Sequence, residues 1–122
     1  MAVLTTLSLC WNNIGPEGAI AIAEALKVTA VLTELWLGDN KIGDVGAKAI
    51  ADALKSGTAV LTTLNLGYNS IGVEGAKAIA EALKSGTAVL TKLDIQANNM
   101  GDAGKKAVQD AVKDRSGFVL EL

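Results

Sequence analysis

The chain has no histidine, one cysteine (Cys10) and one proline (Pro16). Its only aromatic residues are Trp11, Trp36, Tyr68 and Phe118. Each scarcity excludes something. Without histidine a serine nucleophile lacks the histidine base of the usual triad. The commonest metal ligand is also missing, and no cluster of cysteines or carboxylates replaces it. A lone thiol cannot form an intrachain disulfide, so the chain needs no oxidising compartment and reads as cytoplasmic. Nothing basic lies near Cys10 in sequence to favour its thiolate, which argues against redox or nucleophilic chemistry there. The net charge is −2 with acids and bases interspersed, so there is neither a charged tail nor a basic stripe for nucleic acid. No apolar run approaches the length of a membrane span. The start, MAVLTTLSLCWNNIG, has no basic opening, long apolar stretch or cleavage site, so it does not read as a signal peptide. No cofactor, nucleic-acid or membrane role is expected.

What is present is one unit, used four times. Leu32 to Val60 recurs at Leu61 to Val89 with 22 of 29 positions identical. Further copies start at Leu4 and Leu90, giving spacings of 28, 29 and 29. A fixed period of this length marks a stacked array whose core is a ribbon shared between neighbours. We therefore expect a single domain over 1–122, with units of about 4–31, 32–60, 61–89 and 90–118 and a stunted strand at 118–122. The first unit is one residue short in its helix-to-strand loop, where a deletion is readily absorbed.

Each unit opens with L-x-x-L-x-L-x-x-N-x-I/M. In the second unit these are Leu32, Leu35, Leu37, Asn40 and Ile42. The alternation Leu35-x-Leu37 predicts a short strand. Asn12, Asn40, Asn69 and Asn98 share one place, where an amide can both accept and donate at a bend of the backbone. They read as structural. The second half of the unit is helical: Ala47, Ile50 and Leu54 fall on one face, and Lys48, Asp52 and Lys55 on the other. Gly57 and Gly86 suit helix C-terminal caps. Gly43 and Gly46, with their equivalents, suit a tight turn and a close helix–strand approach. Phosphate binding is not expected of them, since they recur in every unit and no Walker lysine follows.

These motifs resemble the leucine-rich-repeat family. The 28/29 spacing and the IGxxGAxAIAxAL helix are similar to its ribonuclease-inhibitor-type subfamily. The resemblance spans residues 3 to about 118 and implies a right-handed α/β horseshoe solenoid. Its parallel sheet would line the concave face and its helices the convex face. It further implies a role in binding partners, usually proteins.

If the leucines of L-x-L point inward, the residues between them point out to the concave face. Aligning the units gives the rows Thr6–Glu34–Thr63–Lys92 and Ser8–Trp36–Asn65–Asp94. Beside them run Cys10–Gly38–Gly67–Gln96 and Trp11–Asp39–Tyr68–Ala97. Within the strand half of the unit most differences fall in these rows, as a binding surface would show, or as drift at solvent-facing positions would show. Trp11, Trp36 and Tyr68 all lie here, either as interface anchors or flat over their neighbours. Trp11, Glu34, Trp36, Asp39, Asn65, Tyr68, Lys92 and Asp94 are thus the expected partner-binding residues. The patch is aromatic and mildly acidic, so a basic or amphipathic peptide would suit it. An open face does not exclude water, so Glu34 and Asp39 make a poor acid–base pair.

The reading is a non-enzymatic scaffold that binds a protein or peptide. One alternative is a fragment or designed building block that pairs mainly with itself. Another is a regulator of a GTPase, like the Ran GTPase-activating proteins that share the repeat; the single arginine, Arg115, lies in the atypical last unit. At the ends, Phe118, Val119, Leu120 and Leu122 are expected to cover the last layer. The leading edge, Val3 to Trp11, is open and predicts a two-fold dimer through the first strand, with Thr5 supplying an edge donor.

Overall fold

A computed structural model describes residues 4–28, 31–56, 58–85 and 88–122. Five strands alternate with four helices: β1 Thr6–Ser8, α1 Gly15–Val28, β2 Glu34–Trp36, α2 Gly43–Lys55, β3 Thr63–Asn65, α3 Val73–Lys84, β4 Lys92–Asp94, α4 Gly101–Val112 and β5 Val119–Glu121. The strands form one parallel sheet in chain order. Consecutive helices pack on one another as consecutive strands do, which is the α/β horseshoe solenoid expected.

The register follows the repeat. Leu7, Leu35, Leu64, Leu93 and Leu120 stand side by side across the sheet. Leu35, Leu64 and Leu93 are fully buried in one core with Ile50 and Ile79 of the helices. Their strand neighbours on either side therefore face outward. The helix phase is as expected: Ala47, Ile50 and Leu54 are buried, while Lys48, Asp52 and Lys55 are exposed.

The asparagines knit the bends together. Asn40 and Asn69 are completely buried. Asn69 Oδ1 accepts from the Asn40 N–H (2.8 Å), and Asn40 Oδ1 from the Asn12 N–H (2.9 Å). The Asn40 amide Nδ2 donates to the carbonyls of Leu9, Leu37 and Gly38 at 2.9–3.2 Å. Each amide thus joins its own turn to the one before it, satisfying backbone groups that would be costly to bury unpaired. A second ladder runs through the threonines. The hydroxyls of Thr33, Thr62 and Thr91 donate to the carbonyls of Thr5, Thr33 and Thr62.

The first-turn glycines admit a close approach, but between helices. A Cβ on Gly75 would lie 2.6 Å from Asp44 Oδ1, 2.7 Å from Ile71 Cγ2 and 3.1 Å from Ala47 Cβ of α2. The expected helix–strand approach is corrected accordingly. Asp44 also caps the next unit's helix: its Oδ1 accepts from the N–H of Gly72 (2.6 Å) and Gly75 (3.1 Å). A carboxylate is well placed there against the helix dipole. Pro16 and Val73 hold the same position in the first and third units and offer no such acceptor. The caps expected at Gly57 and Gly86 lie outside the described residues, as do Met1–Val3 of the leading segment.

The last strand, β5, is as long as the others. Phe118, Leu120 and Leu122 pack on the core. Val119 does not. Its pairing with Lys92 turns it to the outer face, where it is exposed. Arg115 stacks over the Phe118 ring, 4.9 Å from its centroid, and donates to the Leu90 carbonyl.

Among the described residues, β1 pairs with β2 alone. Leu4 is exposed, and Leu4, Leu7, Ile22, Ala25, Leu26, Val31 and Leu32 line an apolar groove. The edge donor is not Thr5. The N–H groups of Leu9 and Trp11 donate toward β2, and the Thr5 carbonyl accepts from it. Backbone groups alternate sides along a strand, so the N–H groups of Thr6 and Ser8 face the open edge.

Candidate functional site

The outer face of the sheet carries the expected rows. Thr6, Glu34, Thr63 and Lys92 are paired in register, with Val119 added by β5. Ser8, Trp36, Asn65 and Asp94 form the next row, extended by Glu121. Just past the strands the backbone turns away. Trp11, Asp39, Tyr68 and Ala97 occupy equivalent positions there, all left-handed, with φ of 66°, 58°, 57° and 55°. Aspartate tolerates that conformation. For bulky side chains it costs about 1–2 kcal/mol.

Those two aromatics are also bare. Trp11 is 81% exposed and Tyr68 67%, so neither lies flat over its neighbours. Trp36 behaves differently: it is half-buried, and its Nε1–H points at Glu34 Oε1, 3.4 Å away. The structure thus divides the eight expected residues. Trp11, Asp39, Asn65, Tyr68 and Asp94 line one cleft of about 240 Å³, together with Cys10, Gly38, Gly67 and Gln96. Glu34, Trp36 and Lys92 lie on the strands outside it.

Polar contacts hold much of this surface in place. Asn65 Nδ2 donates to Asp94 Oδ2 (3.3 Å), and Gln96 Nε2 donates to both Asp94 Oδ2 (3.3 Å) and Glu121 Oε2 (3.1 Å). The Gln96 N–H donates to Asp94 Oδ1 (3.0 Å). Glu34, Asp94 and Glu121 are therefore engaged within the face. Among the described residues, the Asp39 carboxylate has no hydrogen-bond or ion-pair partner. Glu121, Gln96 and the two glycines were not among the expected site residues. Glu121 was legible: aligning Leu120 and Leu122 with Leu93 and Ile95 puts it beside Asp94.

Among the described residues, no group of three or more Cys, Asp or Glu side chains is placed to share a metal ion. None of their helices is long and apolar enough to cross a membrane.

Comparison with known proteins agrees with this architecture. A family described as Leucine Rich repeat matches residues 2–23, 30–51, 59–80 and 88–108. Among solved structures, the chain is similar to the one titled Leiomodin-1 Actin-Binding Site 2. That match has a TM-score of 0.83 and 26% sequence identity, and covers 96% of this chain and 69% of the other. No curated protein matches in sequence.

Proposed function

The chain belongs to the leucine-rich-repeat family, and from that premise we propose that it is a non-enzymatic scaffold binding a protein or peptide across the outer, concave face of its sheet. One observation carries the reading: Trp11 and Tyr68 stand exposed at left-handed positions. Folding gains little from either ring, and the backbone there favours other residues. Large exposed aromatics held on a rigid frame are what interfaces use as anchors. Drift alone would not favour the residue types least suited to that backbone. The repeat length of 28 or 29 and the helix motif support placement in the ribonuclease-inhibitor-type subfamily. A single thiol with no disulfide fits a cytoplasmic setting. A role at a GTPase gains no support from Arg115, which is engaged with Phe118 and Leu90.

The test is peptide selection from a random library on the immobilised chain, with actin added as a defined protein because the matched leiomodin segment is titled an actin-binding site. Binders are then measured on Trp36→Ala/Tyr68→Asn. Asparagine accepts the left-handed backbone at position 68, so the variant should fold. Each change is expected to weaken binding by about 1–3 kcal/mol. Undiminished binding to the folded double variant would remove the outer face from the proposal.

A further inference from the structure

We propose that the cleft between Trp11 and Tyr68 receives one arginine side chain of the bound partner. This rests on the reading of the outer face as the binding surface and adds what it recognises. Trp11, Asp39 and Tyr68 come from consecutive units. The two aromatic positions are therefore two strand spacings apart, about 9–10 Å at the backbone. Asp39 stands between them, its carboxylate unpartnered among the described residues. The other carboxylates nearby are already bonded within the face.

The floor is open because Gly38 and Gly67 carry no side chain, and at Gly67 the backbone does not demand this. Its φ is not left-handed, and an added Cβ would meet only ordinary contacts, at 3.5 Å from the Gln96 carbonyl and 3.6 Å from Asn65 Oδ1. Cys10 and Gln96 hold the same row and do carry side chains. Glycine at position 67 therefore provides space rather than geometry. The space is bounded by two aromatic walls, with a free carboxylate beside it. A flat cation fits this best: guanidinium stacks on rings and pairs with a carboxylate through two parallel N–H groups. A lysine ammonium is compact and strongly hydrated and uses the walls less well.

The probe is acetyl-Gly-Ser-Arg-Ser-Gly-amide, with analogues carrying lysine or norleucine in place of arginine. Each is titrated into isotopically labelled chain and followed by amide and indole NMR shifts. The arginine peptide should shift the amides of Gly38, Asp39, Gly67 and Tyr68 and the Trp11 indole N–H. It should bind about tenfold more tightly than the norleucine peptide, with lysine in between. Gly67→Gln, which borrows the residue of the next unit, should abolish these shifts. Asp39→Asn, which keeps a residue suited to that backbone, should weaken binding severalfold. A norleucine or lysine peptide that binds as tightly as arginine, or no arginine-dependent shift at these residues, overturns the assignment. If selected peptides lose affinity for Trp36→Ala yet bind Gly67→Gln and Asp39→Asn undiminished, the outer face stands and the cleft falls.

Discussion

The first unit and the inner units share one sequence pattern and differ in what that pattern achieves. Leu35, Leu64 and Leu93 are fully buried, whereas Leu7, at the same register, is only half-buried. Ile50 and Ile79 are fully buried and Ile22 is not. Asn40 and Asn69 have no exposed surface, while Asn12 is exposed. Full burial in this fold needs a unit on either side, since Leu120 and Asn98 near the other end are also only half-buried. A residue's contribution is therefore set by its position in the stack as much as by its chemistry, as expected when stability is a sum of nearest-neighbour terms.

The asparagines put this difference to its strongest test. Asn69→Ala removes the acceptor for the N–H groups of Asn40 and Ile42, while the carbonyls of Leu37 and Gly67 keep their bonds from Asn40 Nδ2 and the Asp39 N–H. The two N–H groups are buried, and water cannot replace the amide. We expect a loss of about 2–5 kcal/mol from the two unsatisfied N–H groups. Asn12→Ala removes the donor to the Cys10 carbonyl, near solvent, and one of the two side-chain donors to the Leu9 carbonyl, which keeps Asn40 Nδ2, and should cost about 1 kcal/mol or less. Chemical denaturation of both variants gives the two values. Equal losses would mean that the array unfolds independently of position.

The first strand supplies the next test. The groove of Leu4, Leu7, Ile22 and Leu26 lies beside a strand edge whose Thr6 and Ser8 N–H groups face outward. An edge and an apolar layer exposed together favour pairing with a second copy through antiparallel first strands. Light scattering at concentrations on the order of 10–100 micromolar should find a dimer, in the affinity range of a modest interface. Thr6→Pro removes an outward donor and leaves the bonds to β2 intact. It should give a monomer with little change in melting temperature. A wild-type chain that is strictly monomeric would show that the open edge is tolerated.

Much of this was legible beforehand because it recurs. Four asparagines in one place, alternating leucines and a helical face of Ala, Ile and Leu announce the turn, the strand and the buried stripe. The outward rows follow from the same alternation. What escaped the sequence occurs once or depends on side. Asp44 caps a helix 28 residues later, and no other unit repeats the arrangement. The division between Trp36 and the cleft needs the point at which the strand ends and the backbone turns left-handed. Thr5 and Thr6 are adjacent in sequence, yet their backbone groups face opposite sides. Val119 is apolar like its neighbours, but its parity in β5 puts it outside.

The smallest expected difference lies on the helices. Ile20 holds the place occupied by Lys48, Lys77 and Lys106 in the later units. It is exposed, though only to 38%, so part of its side chain rests on the helix surface. A lysine at this position keeps the aliphatic stem along that surface and carries the charge into water. Helix propensity also favours lysine over isoleucine by a few tenths of a kcal/mol. Against this stands the loss of a modest apolar contact on a helix that, among the described residues, has a helical neighbour on one side only. These terms are similar in size and opposite in sign, so Ile20→Lys should change stability by no more than about 0.5 kcal/mol. Thermal unfolding at matched concentration measures it. A fall of several degrees would show that the outer face of α1 is covered by something the later helices do without.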